Sequence, residues 1–283
     1  MEVEMNRFSI KLKKEGPVSL IRMTSRLLGL PIFKVYAFFV NGLLIDTGFT
    51  NCRAGFLKLC DHLPSLHMVV NTHHHEDHTG NNFWLSRKYG LLPLAHPNTS
   101  SYLRAPHQWI RLYRRVIWGT PPPSDTGWLD SEIQIPPFRF LVIPTPGHSD
   151  DHICLYEPNE GWLFSGDLFI KERIKYLRED EDISSVIDSL KKVAGLRPKK
   201  MFCSFSGLID HPGQALKRKI SYLETLGQRI EEGLKQGLSP QEIRRRILGR
   251  GDQFKWVTQG QISKQNLINA FLRQKGWKDE SKN

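Results

Sequence analysis

Six consecutive positions, His73-His74-His75-Glu76-Asp77-His78, hold four histidines and two acids directly after the apolar run from His67 to Val70. Neutral imidazole and carboxylate together are ligands for zinc, with iron or manganese as alternatives. On an irregular turn leaving a strand, alternate side chains can share one side. His73 and His75 can then meet one ion while Asp77 and His78 turn toward a neighbouring position. Burying such a cluster without a metal costs roughly several kcal/mol in desolvation and charge repulsion. The bland alternative is a solvated histidine-rich loop. Against it stands the ligand order His-x-His-x-Asp-His, and the internal position excludes an expression tag.

Three further segments carry ligand-type residues in fixed order: Asp46-Thr47-Gly48, Pro146-Gly147-His148 and Phe164-Ser165-Gly166-Asp167. With the 73–78 run they resemble the metallo-β-lactamase superfamily over roughly residues 30 to 212. The resemblance implies an α+β fold, the four-layer αββα sandwich. It implies one or two metal ions, zinc first, with iron or manganese possible. His73, His75 and His148 would bind the first ion. Asp77, His78 and Asp167 would bind the second, with Asp167 shared, and Asp46 would steady the ligand loop. It further implies a metal-dependent hydrolase. The ions would bring a bound water from a pKa of ~16 toward ~7, and Asp77 would orient the nucleophile and accept its proton.

One segment departs from the pattern. Members with a full two-metal site end the domain on a Gly-His-Gly-like turn, whereas here Cys203-Ser204-Phe205-Ser206-Gly207 stands in its place. The expected histidine position falls on Ser206, with His211 five residues later as a possible substitute. His152 reads as a substrate-facing residue or one that supports a ligand, and at least as readily as a strand residue bonded locally. His74 is expected to point away from the ions, and His62, His67, His96 and His107 read as structural or surface.

The elements that must position these groups follow from patterning. Val35 to Val40, the Asn41-Gly42 turn and Leu43 to Ile45 read as a hairpin ending in Asp46. His67 to Val70 reads as a buried strand feeding the histidine cluster. Ala54 to Leu63, and Gly80 to Lys88, have helical spacing, and Leu91 to Ala95 suits a strand. Residues 98–130 read as one helix, then a rigid loop through Pro121 to Pro123, as either a lid or a peripheral basic face. Strands resume at 138–143, 153–156 and 162–164, with a helix over 183–194 and a last strand over 201–205. Beyond Gly213 the spacing predicts helices over 215–233, 239–248 and 263–275. Ser239, Pro240 and Glu242 form a helix-start signature.

The 283 residues divide as a catalytic domain over 1–212 and a basic helical extension over 213–283. Hydrophobic residues make up 39% and charged residues 24%, enough for a sizeable core. The net charge is +11, and the extension alone carries eight lysines and seven arginines against seven acids, a net +8. Cys52, Cys60, Cys154 and Cys203 form no Cys-x-x-Cys pair and read as reduced thiols. No run approaches the ~18 uncharged apolar residues needed to cross a bilayer, and the first ten residues lack a signal-peptide core. A cytoplasmic protein with no membrane partner is therefore expected. Two substrate classes remain. A small ester, thioester or lactone suits the compact core. RNA or DNA suits the basic extension, the Arg244-Arg245-Arg246 run and the Arg/Trp/Tyr mixture from Arg104 to Trp118. A non-catalytic metal-binding scaffold is the third reading.

Overall fold

The computed structural model describes residues 2–5 and 7–274. Strands β1 (Glu2–Met5), β2 (Phe8–Glu15), β3 (Val18–Leu27), β4 (Leu30–Val40) and β5 (Leu43–Ile45) run antiparallel in chain order. β6 (Met68–Val70), β7 (Leu94–Ala95) and β8 (Gly127–Trp128) then join parallel, completing an eight-stranded sheet. A second sheet begins with β9 (Glu132–Ile135), β10 (Phe138–Pro144), β11 (Ile153–Glu157) and β12 (Trp162–Phe164). β13 (Leu177–Arg178) leaves it, and β14 (Lys200–Cys203) and β15 (Gly207–Ile209) complete its six strands. β16 (Ile262–Ser263), far along the chain, pairs antiparallel with β13.

Helices α1 (Arg53–Cys60), α2 (Glu76–Thr79), α3 (Asn82–Tyr89), α4 (Thr99–Arg104) and α5 (Leu112–Trp118) belong to the first half. Helices α6 (Ile183–Gly195), α7 (Pro212–Lys235), α8 (Pro240–Leu248), α9 (Gln253–Val257) and α10 (Lys264–Arg273) belong to the second. Three apolar clusters give the layering. One joins the first sheet to α1, α3 and α5 through Phe56, Leu85 and Trp118. One lies between the sheets, where Phe38 packs on Phe164 and Phe202 with ring centroids 5.5 and 5.7 Å apart. The third joins the second sheet to α6, α7, α8 and α10. This is the αββα order expected.

Register places the functional loops. β5 and β6 are parallel neighbours with Ile45 opposite Val70, so Asp46 and the residues after Val70 emerge together. β12 and β14 are likewise parallel with Phe164 opposite Phe202, so the Asp167 and Phe205 loops leave side by side. Pro144 faces Ile153 across β10 and β11, so the turn holding His148 lies between those strand ends.

Several expectations need correction. The hairpin read over 35–45 is the end of a longer meander, in which β4 absorbs Val35 to Val40 and pairs with β3 out to Leu27 and Leu30. Its tip is apolar yet exposed, so alternation fails there. Residues 98–130 contain two helices rather than one, with a 3₁₀ turn at Pro106–Gln108 between them. The strand expected over 201–205 stops at Cys203, leaving Phe205 outside it, and a further strand, β15, follows it. The strand expected over 91–95 is only Leu94–Ala95, because Pro93 supplies no N–H for a ladder. The final helix spans Lys264–Arg273, and Lys275 lies outside the described residues.

The extension is packed in. Leu216, Leu223, Leu226 and Ile230 recur at helical spacing along α7 and enter the same cluster as α6. The Ser239–Glu242 capping box forms as the spacing predicts. All four cysteines are free and buried, and burial pushes the Cys52, Cys60 and Cys154 thiols up to about 12.

Candidate metal centre

Around the Nδ1 atom of His75 three imidazoles converge. His73 Nε2 lies 2.9 Å from it and His148 Nε2 3.0 Å. With Asp167 these form a buried donor set whose ligand atoms all lie within 4.8 Å of one another. Asp77, His78 and Asp167 form a second such set. The Asp167 carboxylate sits between the two, with Oδ2 3.4 Å from His148 Nε2 and Oδ1 3.3 Å from His78 Nε2. Asp77 Oδ2 is 3.8 Å from His78 Nε2. All six predicted ligand residues are thus brought together, from the β6, β10–β11 and β12 loops. The donor chemistry fits a cation. Three nitrogen lone pairs meet at one point, and the buried His78 Nε2 and Asp167 Oδ1 atoms have no hydrogen-bond partner. Burial, and then positive neighbours, push His73 and His75 well below the ordinary imidazole range, which keeps them neutral ligands. For His78 and His148 burial acts in the same direction but is outweighed. Asp167, Asp46 and Asp77 raise the first, and Glu181 and Asp167 raise the second. The raised values mark a surplus of negative charge that a metal ion would neutralise.

Comparison with known proteins decides the family. The description "Metallo-beta-lactamase superfamily" matches residues 33–204, more than half of the chain. The chain belongs to the metallo-β-lactamase superfamily. It is 27% identical over 179 residues to a hydroxyacylglutathione hydrolase of Pelagibacter ubique (strain HTCC1062), a match covering 60% of this chain and 66% of that relative. Across the first curated relatives it matches, the chain spans 29% to 66% of their own length. A metallo-beta-lactamase family protein from Thermus thermophilus has the same fold, with a TM-score of 0.65 and 20% identity over 86% of this chain and 89% of that one. A di-iron-bound relative aligns with a TM-score of 0.53 at 25% identity, over 66% of this chain and 94% of its own.

In this superfamily member the ligand loops are held by side chains that bind no ion themselves. Asp46 accepts from the Thr72 backbone N–H at 2.8 Å and from its hydroxyl at 2.9 Å, and its Oδ2 contacts His78 Nδ1 at 2.8 Å. That contact makes His78 Nδ1 the donor and aims Nε2 inward. A buried amide network of Asn71, Asn82, Asn81 and Thr47 pins the start and end of the loop. Gly80 admits no other residue, because a Cβ there would stand 2.6 Å from Phe49 Cα and Thr50 N. His152 proves to be a positioning group. Its Nε2 accepts the Asp167 backbone N–H at 3.1 Å and its Nδ1 contacts Thr145 Oγ1 at 2.8 Å. Burial, with repulsion from His148, pushes its pKa down to about 3, which keeps that acceptor lone pair free. Gly166 next to it, at φ +47°, would drive a Cβ to 2.6 Å from His152 Nε2. His74 turns away from the ions. It stacks on Tyr102 at 3.8 Å and contacts Asp151 Oδ1 at 2.9 Å, joining the 73–78 loop to the His148 loop.

The segment expected to supply a last histidine brings no imidazole to the cleft. Ser206 is exposed and bonds the Ile170 carbonyl, whereas Phe205 lines the cleft over the site. The strand ends at Cys203, before its apolar run does. His211 is exposed at the start of α7 and joins none of the candidate clusters.

Sequence reasoning also missed Arg114. It is buried, pairs with the fully buried Glu76, and brings its Nη2 to 3.5 Å from Asp77 Oδ1. Thirty-seven residues separate it from Asp77, and no local pattern signals that contact.

The cleft above the donors has a volume of about 190 Å³. Its walls are largely apolar: Phe33, Ile117 and Trp118 on one side, Tyr176, Leu177 and Ile262 on the other. The second wall belongs to the β13–β16 pair, so the basic extension contributes to the site. Arg178 also lines it, held by Asp180 at 3.0 and 2.7 Å. Arg244, Arg245 and Arg246 take no part in this cleft.

Proposed function

We propose that this protein hydrolyses a small acyl thioester or ester, with metal held by His73, His75 and His148, and by Asp77, His78 and Asp167. The supporting observation is the placing of two abutting donor sets at the floor of a narrow, apolar-walled cleft. Bound metal would supply a nucleophile at neutral pH and polarise the substrate oxygen. The chain's own groups do the rest. Phe33, Ile117, Trp118 and Ile262 bury the acyl part and exclude water from it. Asp77 orients the attacking oxygen and receives its proton. Asp46 and His152 hold the donors at fixed positions, so no reorganisation is needed during the reaction.

The hydroxyacylglutathione hydrolase name of the Pelagibacter relative supports a thioester. Zinc and iron both suit the donor set, and the di-iron form of one relative keeps iron in view. The basic residues at 244–246 do not line the cleft, which favours the acyl reading over the nuclease one. A panel of acyl thioesters, simple esters, lactones and single-stranded RNA tests this on protein loaded with zinc, iron or manganese. Thioester or ester turnover that a chelator abolishes and metal restores is expected. RNA cleavage without acyl turnover would overturn the substrate class.

A further inference from the structure

Eleven large apolar side chains are exposed among the described residues, and nine of them fall on three elements. Four sit at the β3–β4 tip: Leu27, Leu28, Leu30 and Ile32, with Leu28 95% exposed. Leu112 and Val116 lie one turn apart on α5. Phe254, Trp256 and Val257 belong to α9, with Trp256 83% exposed. Scattered apolar residues are ordinary on a soluble surface, but a cluster is not.

The three elements surround one opening. Phe33, just past the tip, lines the cleft and packs on Trp118 of α5 at 5.8 Å. Ser25 Oγ donates to the Ile117 carbonyl at 2.7 Å, tying β3 to α5. Tyr113 Oη donates to Gln261 at 2.6 Å, tying α5 to the turn after α9. Tyr176 lines the cleft and packs on Phe254 at 4.8 Å.

Charge accompanies the apolar groups. The stretch 22–34 holds Arg22, Arg26 and Lys34 and no acid, and 98–123 holds four arginines and no acid. Arg104, Arg111 and Arg114 answer acids from elsewhere, while Arg115 bonds only backbone carbonyls. Around α9, Arg250 and Lys255 face a single acid, Asp252, which is engaged by the Lys264 backbone N–H.

We propose that this rim docks on an anionic lipid surface, with the β3–β4 tip and α9 entering the headgroup layer and the cleft mouth turned toward the bilayer. Aliphatic tips flanked by cations suit that surface, since burial of the tips and attraction to acidic headgroups act together. A second copy of the chain fits less well, because an isologous contact would set cations against cations. Nucleic acid fits less well again, because the Leu27, Leu28, Leu30 and Ile32 tip offers no ring on which a base could stack and exposed rings occur only on α9 of the three elements. No helix among the described residues is long and apolar enough to cross a membrane, so the contact is peripheral. It stands apart from the hydrolase reading and survives its failure.

Flotation of the full chain with phosphatidylcholine vesicles, with and without phosphatidylglycerol, tests it. Binding to the anionic vesicles is expected, falling about tenfold or more at high salt. Leu28→Glu with Leu30→Glu should lower that binding about tenfold or more and leave the melting temperature unchanged, because both side chains are exposed. Leu92→Glu with Trp128→Glu, at the β7–β8 end of the first sheet, should bind as the parent does. Failure of the parent chain to float, or equal flotation of the tip variant, would overturn the proposal. So would a concentration-dependent dimer that the tip variant dissolves without any lipid binding, since the occupant would then be a second copy.

Discussion

Around His75 Nδ1 three imidazoles from two loops meet at 2.9–3.0 Å, and two of the three are kept neutral by their burial. Around His78 Nε2 the provision is thinner: Asp77, a shared Asp167, and a guanidinium that reaches Asp77 at 3.5 Å, with Phe205 among the residues lining the cleft. A cation already beside Asp77 opposes a second metal ion, and Phe205 offers no lone pair to hold one. The difference teaches that the first donor set would hold an ion more firmly than the second.

The largest effect should come from the first position. His75→Ala is expected to remove metal there and to cost at least about a thousandfold in hydrolysis. Metal analysis with steady-state kinetics checks this, and full activity in that variant would discard the ligand assignment.

Arg114→Met should be next. It strands Glu76 without a partner in the interior and should cost about 3–5 kcal/mol of stability in urea unfolding. The double variant with Glu76→Gln should recover most of that loss. A single variant as stable as the parent would show that the pair carries no structural weight.

Asp46→Asn should weaken metal binding at the His78 side by about 10- to 100-fold, because His78 loses the carboxylate that orients it. Calorimetric titration would show the weaker class of site shifting while the tighter class holds. Phe205→His should act in reverse, raising affinity for a second equivalent by about tenfold. A Phe205→His chain that still takes up a single equivalent would refute the contrast between the two positions.

The smallest effect concerns the clamp between loops. Burial would raise the Asp151 pKa, but His74, Ser149 and Thr99 hold it below the usual carboxylate range. Its folded value is depressed, so its stabilisation is present above about pH 4 and fades as pH falls toward the folded value. Asp151→Asn should therefore cost about 1–2 kcal/mol at neutral pH and progressively less in acid. Thermal melts across that range measure it, and a gap that widens on acidification would reverse the sign.

Much of the fold and the candidate site was legible because strand register and loop chemistry coincide. Ile45 and Val70 end parallel neighbours, and each apolar run passes directly into its polar motif. What escaped the sequence was contact at long range. Arg114 meets Glu76 only because α5 folds back over the 73–78 loop. The meander was cut short in the reading because its tip breaks alternation without leaving the strands. The extension's excess charge read slightly more readily as solubilising charge than as a nucleic-acid arm, and neither reading signalled that its β16 strand and α7 helix serve the cleft and the core. Composition records how many cations a segment holds but not which way they face.

The β13–β16 pairing separates two jobs along the chain. The donors all precede residue 168, while Ile262 and the strand that steadies Arg178 come from the far end. Changing Ile262 and its strand would alter one part of the cleft wall, whose Tyr176 and Leu177 precede the extension, and no donor lies in the stretch that changes. If the proposed hydrolysis holds, changes at β16 would tune the choice of substrate while every donor residue stays in place.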